Sequence, residues 1–194
     1  MVLPVVRYGH PVLRQKGARI SSVTPEINGL IADMLETMKA AHGVGLAAQQ
    51  VAHALQLAVI DVRGVSDRPS QLWIDGHPAS VDAFMPLVLI NPQVTPAGKP
   101  VRGPEGCLSF PEIYGEVERP AEVEVVALNE RGDSFRFKTG GLLARAVQHE
   151  VDHLNGILFI DRMDSATRAE VKPEVDDLLV ATKAALAKAA AKTR

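Results

Sequence analysis

Two histidines and an acidic residue stand at a spacing that could hold and use a metal ion. Residues 149–153 read HEVDH, so His149 and His153 are four positions apart. On an α-helix both imidazoles would lie on nearly the same face, one turn apart, with Glu150 beside them. This pattern is typical of hydrolases that activate a metal-bound water. The alternative is that both histidines are partly buried helix residues satisfied by hydrogen bonds.

A catalytic metal usually keeps three protein ligands, so a third donor must come from elsewhere in the chain. No histidine follows His153, which leaves Asp161, Asp164 and Glu170 as downstream donors. Upstream lies Cys107, the single cysteine, directly after a glycine that would let the backbone approach closely. This arrangement favours a Cys/His/His set. The alternatives are that the cysteine is a catalytic nucleophile or a buried inert thiol.

The HEVDH segment lies in a stretch whose apolar residues recur at helical spacing. We predict a helix over residues 142–154, ended by Asn155 and Gly156. Two more helices are predicted from their start signals and apolar periodicity. They span residues 25–41, after the capping Thr24, and residues 173–192, beginning at Pro173.

Short apolar and β-branched runs predict the strands that must surround this helix. They span residues 57–62, 87–91, 122–129 and 134–138, with residues 129–133 as the turn of a hairpin. Residues 64–86, interrupted by glycine and proline, are predicted to form a surface loop of undefined role. We therefore expect an α+β fold, with antiparallel β-sheets around a central helix that carries the metal-binding motif.

The composition describes an ordinary globular chain with a single core. The chain has 194 residues, 23% of them charged, and a net charge of −2, so its overall charge identifies no partner. One cysteine excludes an intramolecular disulfide. No apolar run approaches the roughly 20 residues needed to cross a bilayer, and the first residues lack the order of a signal peptide. We expect a cytoplasmic protein with neither a membrane partner nor a sequence-specific nucleic-acid partner.

Three segments of the chain resemble the signature motifs of peptide deformylases. They are residues 43–50 (GVGLAAQQ), 105–109 (EGCLS) and 148–156 (QHEVDHLNG). They occur in the order and roughly at the spacing of that family, and the resemblance extends to about residue 164. It implies a catalytic domain over residues 1–170, with residues 171–194 as a C-terminal helical extension of the same domain. The implied activity is metal-dependent removal of the N-formyl group from the N-terminal formyl-methionine of newly made proteins.

The resemblance also implies a role for each residue of the site. The metal ligands would be Cys107, His149 and His153, the general acid/base Glu150, and the oxyanion donors the Gln50 side chain and the backbone N–H of Leu108. A bound metal makes hydroxide available near neutral pH, and a carboxylate can carry its proton to the departing amine. Ferrous iron, one ion per chain, is the implied metal, with zinc, nickel or cobalt as alternative occupants. Ligand spacing alone does not distinguish among them.

The implied substrate is a formyl-methionyl peptide that lies as an added strand beside the first motif, so Gly45 should hydrogen-bond to it. The methionine pocket would draw on Val44, Leu142, Arg145 and Ala146. Arg145 would line this pocket with its stem and keep its charge in water, which makes Leu142 the firmer assignment. Arg119 would either meet the peptide or pair with Glu105 or another carboxylate.

The expected partners are formyl-methionyl nascent peptides and, through the C-terminal helix, the ribosome. After residue 180 four basic residues and no acidic residue follow, a local charge of +4 against −6 for the rest of the chain. A similar helix of bacterial deformylases docks on the ribosome, whereas the composition fits a solvated Ala/Lys helix equally well. Two other functions compete. A metallo-endopeptidase would need a third ligand after His153, and an inactive ribosome-associated relative would not need an intact site.

Overall fold

Within residues 1–192, the part of the chain that the computed structural model describes, a seven-stranded antiparallel sheet packs against five α-helices. The strands are β1 (Gly45–Ala47), β2 (Leu57–Ile60), β3 (Ser70–Ile74), β4 (His77–Pro78), β5 (Leu87–Cys107), β6 (Phe110–Leu128) and β7 (Ser134–Gly140). The helices are α1 (Pro25–Ala40), α2 (Val81–Phe84), α3 (Gly141–Leu154), α4 (Phe159–Arg162) and α5 (Ser165–Lys192). The sheet order is β1-β2-β5-β6-β7-β3-β4, which confirms the α+β class. The last two residues of the expected C-terminal extension lie outside the described residues.

Local signals set the starts of the two helices that flank the site. The Thr24 hydroxyl accepts a hydrogen bond from the Ile27 N–H, and Pro25 begins α1 as predicted. Helix α3 begins at Gly141, whose φ of +68° and close contact with the Pro69 carbonyl exclude a side chain. Ten of the 14 residues of α3 are buried, including both histidines of the HEVDH segment. The motif helix therefore lies in the centre of the fold, as expected.

The buried face of α3 packs against the sheet. Leu143 and Val147 have no exposed surface and share one apolar cluster with Leu89, Val125 and Phe137 from three different strands. Each such side chain contributes roughly 1.5–3 kcal/mol by leaving water. A second cluster joins α1 to β1 and β2, and a third joins α4 and α5 to β6. The helix that carries the histidines is thus held against β5, β6 and β7 by the first of these clusters.

The two central strands are much longer than the sequence predicted. β5 has 21 residues and β6 has 19, whereas the predicted strands covered only residues 87–91 and 122–129. Prolines and glycines within β5 interrupt the apolar alternation on which the prediction depended. The ladder between β5 and β6 accommodates them with three register shifts, and β2 pairs with the other edge of β5 only as far as Ile90. Beyond Ile90, β2 no longer pairs with this edge of β5. Prolines, which have no N–H to donate, can therefore be accommodated there.

Residues 64–86, predicted as a surface loop or excursion, contain regular secondary structure. They contain β3, β4 and α2, and β3 pairs with β7 near the edge of the sheet. These elements are only two to five residues long, and the glycines and prolines between them indicated turns, so the sequence patterns did not predict them. The segment also caps α3, because the Pro69 carbonyl accepts the Leu142 N–H at 3.1 Å and the Ser70 hydroxyl accepts the Leu143 N–H at 2.9 Å. It therefore supports the start of the motif helix.

The last helix begins at Ser165, and the predicted start at Pro173 was wrong. The Asp164 carboxylate accepts the Thr167 N–H at 2.8 Å and supplies an N-terminal cap that the proline-based prediction overlooked. A proline inside a helix removes one hydrogen bond, and this helix continues past it. It runs without a break through residues 170 and 171, where the extension was expected to begin. Among the described residues, no helix is both long and apolar enough to cross a bilayer.

Candidate metal centre

Three side chains from distant parts of the sequence meet at the end of β5. Cys107 is the last residue of that strand, and His149 and His153 reach it from α3. Their donor atoms all lie within 4.8 Å of one another, and Cys107 Sγ is 3.3 Å from His153 Nε2. A thiolate and two imidazoles are ligands that suit divalent first-row transition metals. The residues therefore form a Cys/His/His metal site, and this donor set fits such an ion.

A buried carboxylate orients one of the two histidines. Glu105 Oε2 accepts the hydrogen bond of His149 Nδ1 at 2.9 Å. Burial would raise the pKa of the Glu105 carboxyl, but hydrogen bonds from His149 and Arg119 outweigh it and hold that pKa well below its ordinary range. Because an ionised carboxylate can only accept, Nδ1 carries the hydrogen, and Nε2 of the same ring is left to face the donor set.

The two histidines differ in their protonation equilibria. Burial lowers the pKa of His153 well below its ordinary value, so this imidazole is neutral, which is the form that binds metals. Burial acts in the same direction on His149, but hydrogen bonds with Cys107 and Glu105 outweigh it and raise the pKa of His149 well above its ordinary value. A metal ion at this site therefore competes with a proton on His149.

Arg119 ties the orienting carboxylate to α3. Its guanidinium donates to both oxygens of Glu105, at 2.5 and 3.0 Å, and to Asp152 of α3 at 2.9 Å. Arg162 of α4 holds the same Asp152 at 2.7 Å. Arg119 is buried within this network. Of the two roles expected for Arg119, pairing with carboxylates is the one observed.

Arg145 is the second arginine on Glu105. It donates to Glu105 Oε1 at 2.9 Å and to one backbone carbonyl on each of β5 and β6. Its side chain is only 12% exposed, so the prediction that its charge stays in water was wrong. Gly103 makes room for the guanidinium, since a Cβ atom there would lie 3.1 Å from Arg145 Nη2. The charge is compensated inside the protein instead.

Glu150 lies beside the donors with an unpartnered carboxylate oxygen. The side chain is buried, and its Oε2 forms no hydrogen bond to any residue from 1 to 192. Burial is the main cause that raises the pKa of this carboxyl to about 7. Gly45 approaches so closely that a Cβ atom on it would lie 2.2 Å from Glu150 Oε1. A buried acid with a free acceptor atom next to a metal site is suited to proton transfer.

The Gln50 amide is oriented toward the same place. Its Oε1 accepts the backbone N–H of Ala47 at 2.9 Å, which determines which way the amide points. Its Nε2 consequently faces Cys107 Sγ at 3.5 Å and Ser109 Oγ at 3.3 Å. The amide thus presents a neutral donor next to the thiol.

These groups open onto a cavity of about 600 Å³. The predicted site residues that line it are Val44, Gly45, Gln50, Cys107, Leu108, Leu142, Arg145, Ala146, His149 and Glu150. His153 does not line the cavity, and it joins the site as a fully buried residue in contact with Cys107. Among the lining residues without a predicted role are Arg68 and Tyr114. Arg68 belongs to the segment predicted as a loop, and Tyr114 covers Gly106, where a Cβ atom would lie 2.7 Å from the ring.

Two of the three downstream acids that could serve an endopeptidase are engaged elsewhere, and the third, Glu170, is not part of the donor group. Asp161 pairs with Arg14, and Asp164 pairs with Arg102. In the part of the chain that the structure describes, the donor group around the two histidines is completed by Cys107 and not by a carboxylate. This arrangement counts against the endopeptidase alternative.

Comparison with known proteins agrees with this site. Residues 2–169 match the family model described as Polypeptide deformylase. A peptide deformylase from Opitutus terrae is 44% identical over 188 residues, covering 95% of this chain and 97% of that protein. One from Methylacidiphilum infernorum is 46% identical over 178 residues, covering 92% and 93%. Among solved structures, a peptide deformylase from Synechococcus elongatus in complex with actinonin superposes with a TM-score of 0.73. Its sequence is 40% identical, and the match covers 93% of this chain and 86% of the Synechococcus chain.

Since the family match spans most of the chain and these relatives align over nearly their whole length, the chain belongs to the polypeptide deformylase family, metal-dependent hydrolases that remove the N-formyl group from nascent peptides.

Proposed function

We propose that the chain hydrolyses the formyl amide of N-terminal formyl-methionine with one ferrous ion held by Cys107, His149 and His153. The observation that carries the proposal is the free, buried carboxylate oxygen of Glu150 next to this donor set. A metal ion held by these three residues would supply Lewis-acid chemistry, namely a bound water of lowered pKa. The same donors suit zinc, nickel or cobalt. The metal content of protein purified without oxygen therefore decides the identity of the ion.

The proposed acid and base of the reaction is Glu150. Its unpartnered Oε2 can accept the proton of the attacking water and return it to the departing amine. Gln50 Nε2 and the backbone N–H of Leu108 would donate to the formyl oxygen as negative charge develops on it. Support for the Gln50 role comes from its amide orientation, which the Ala47 N–H determines. Proton transfer and charge stabilisation are thus assigned to different residues.

The substrate peptide is proposed to lie along β1. This strand is at the edge of the sheet, so the outer side of Gly45, at its start, can pair with an added strand, whereas the Ala47 N–H is taken by Gln50 Oε1. Val44 and Gly45 line the cavity at the start of β1, and Leu142 lines it from α3. An unbranched apolar side chain could therefore enter between them while the backbone pairs with β1.

The kcat/KM for formyl-Met peptides should exceed the kcat/KM for formyl-Asp or formyl-Gly peptides by on the order of 100-fold or more. Glycine lacks the apolar area that such a pocket buries, and the aspartate carboxylate would lose its hydration there. The assay is deformylation of formyl-Met-Ala-Ser and its two analogues, with metal content determined on the same anaerobically purified sample. Equal rates on all three peptides would refute the pocket assignment.

Gly45→Ala should slow turnover by on the order of 100-fold without unfolding the protein. The added methyl group collides with the Glu150 carboxyl, which is the movable end of a side chain and would be displaced by about 1 Å or more. Thermal unfolding and kcat are measured together. Gly29→Ala in α1 is the matched control, because nothing lies within 4 Å of its added Cβ atom. Normal turnover in Gly45→Ala would show that the position of this carboxyl does not matter.

We further propose that residues 1–170 form the catalytic domain and that residues 171–194 form an extension, described as helical as far as Lys192, that contacts the ribosome in the cytoplasm. The support is the charge of the extension, since Lys183, Lys188 and Lys192 follow residue 180 with no acidic residue among them. Most of these last residues of α5 are exposed. A basic, exposed helix is suited to a negatively charged partner such as ribosomal RNA.

A further inference from the structure

Arg68 is a charged residue of the cavity to which the proposed function assigns no role. Arg68 and Arg145 are the two arginines that line the cavity. Arg145 is paired with Glu105, whereas Arg68 has no carboxylate within ion-pair distance among residues 1–192. Its Nη2 donates to the Pro104 carbonyl at 3.2 Å, and the other guanidinium N–H groups remain available to a ligand. An arginine in this state is suited to bind an anionic group.

Arg68 is held in place both at its backbone and at its guanidinium. The two residues that follow it, Pro69 and Ser70, accept the first N–H groups of α3, and β3 then pairs with β7. The guanidinium is held by the Pro104 carbonyl, and the side chain is half-buried. Arg68 is therefore preorganised at the cavity, which reduces the entropy that a binding partner must overcome.

Pro104 marks a defined distance along the path of the substrate. The cavity has the start of β1 on one side and the end of β5 on the other. The Pro104 carbonyl contacts Arg68 on the edge of β5 away from β6, and Gly106, two residues on, faces the same edge. Pro104 precedes Cys107 by three residues, or about 10 Å at the rise of a strand. An extended peptide that has its formyl group at Cys107 and runs along β5 toward Pro104 would reach Arg68 with its third residue.

We propose that Arg68 makes the enzyme favour formyl-methionyl peptides that have an acidic third residue. The inference rests on the proposed function, because it requires the formyl group to lie at the donor set. A carboxylate can accept two N–H groups of a guanidinium, which a neutral amide cannot match. Two acids next to Pro104, one in sequence and one in strand register, do not neutralise Arg68. Glu105 is held by two other arginines, and Glu116, the register partner of Pro104, pairs with Arg102.

The test compares two peptides that differ only in charge at the third residue. Formyl-Met-Ala-Glu amide and formyl-Met-Ala-Gln amide both lack a terminal carboxylate, and formyl-Met-Ala amide provides the reference rate for each variant. We expect the wild-type enzyme to show a kcat/KM about fivefold higher for the glutamate peptide at low salt. The ratio should fall toward one in about 0.5 M salt, where charges are screened over a few ångströms. Arg68→Gln should remove the difference at every salt concentration.

Two further variants separate a local effect from a structural one. Arg63→Gln is the matched control, since Arg63 lies in the same part of the chain, pairs with Asp61 and does not line this cavity, so the preference should persist. Arg68→Lys keeps the charge without the paired donors and should retain part of the preference.

Two results would overturn the role of Arg68. In the first, Arg68→Gln still hydrolyses the glutamate peptide with a higher kcat/KM than the glutamine peptide. In the second, Arg68→Gln loses rate equally on both peptides. Hydrolysis of the reference peptide would in both cases leave the proposed function intact. Failure of the wild-type, metal-loaded enzyme to deformylate any of the three peptides would instead refute the proposed function, and this inference with it.

Discussion

Replacing Glu150 with glutamine should leave the metal bound and reduce kcat by about two to four orders of magnitude. The two side chains are nearly equal in size, so the fold and the positions of Cys107, His149 and His153 should not change. The amide lacks a group that can take the proton of the water and deliver it to the amine. The measurement is kcat together with metal content on the same preparation.

Glu118→Gln is the control for this substitution, because Glu118 is exposed on β6 and does not line the cavity. It should change neither kcat nor metal content. Loss of the metal from Glu150→Gln would make Glu150 a ligand. Near-normal turnover with the metal still bound would exclude Glu150 from proton transfer, and the proposed mechanism would have to be abandoned.

Cys107→Ala should abolish tight metal binding, and turnover with it. The wild-type protein should contain one ion per chain, because its three donors form a single group. The variant keeps the two imidazoles and loses the one anionic ligand, and such a site is too weak to retain a divalent ion against a chelator. Elemental analysis after dialysis against a chelator measures the difference.

A histidine outside the site provides the control for metal binding. His77 lies exposed on β4, away from the donor group, so His77→Ala should keep its full metal content. His149→Ala should lose the metal as Cys107→Ala does. If the Cys107→Ala protein kept all of its metal, the thiol would not be a ligand, and the role of catalytic nucleophile would have to be considered again.

The parts of the site that depend on local geometry could be predicted from the sequence. The positions of His149, Glu150 and His153 on one helix require only helical periodicity and a helix stop. Cys107 was reached by elimination of downstream donors and by the resemblance, and the structure brings it to the same place. The central helix followed from these signals, and short apolar runs predicted parts of four of the seven strands, β2, β5, β6 and β7.

The groups beneath and around the donors could not be predicted, because they depend on strand register. The pairing of Arg145 with Glu105 requires that Gly103 lie under its guanidinium, which no periodicity reveals. The length of β5 was hidden by its prolines, which are tolerated only because β2 leaves its edge early. Arg68 was assigned to a loop because the elements that hold it are very short.

The location of Cys107 at the tip of a long hairpin determines when this enzyme becomes competent during its own synthesis. Cys107 and His153 are 46 residues apart, and β6, β7 and most of α3 lie between them. Closing so long a segment costs chain entropy, which only the pairing of the strands and the docking of the helix recover. Contacts of this kind form slowly, after local turns and helices. A newly synthesised copy must therefore complete its own fold before it can process the N-terminus of another chain.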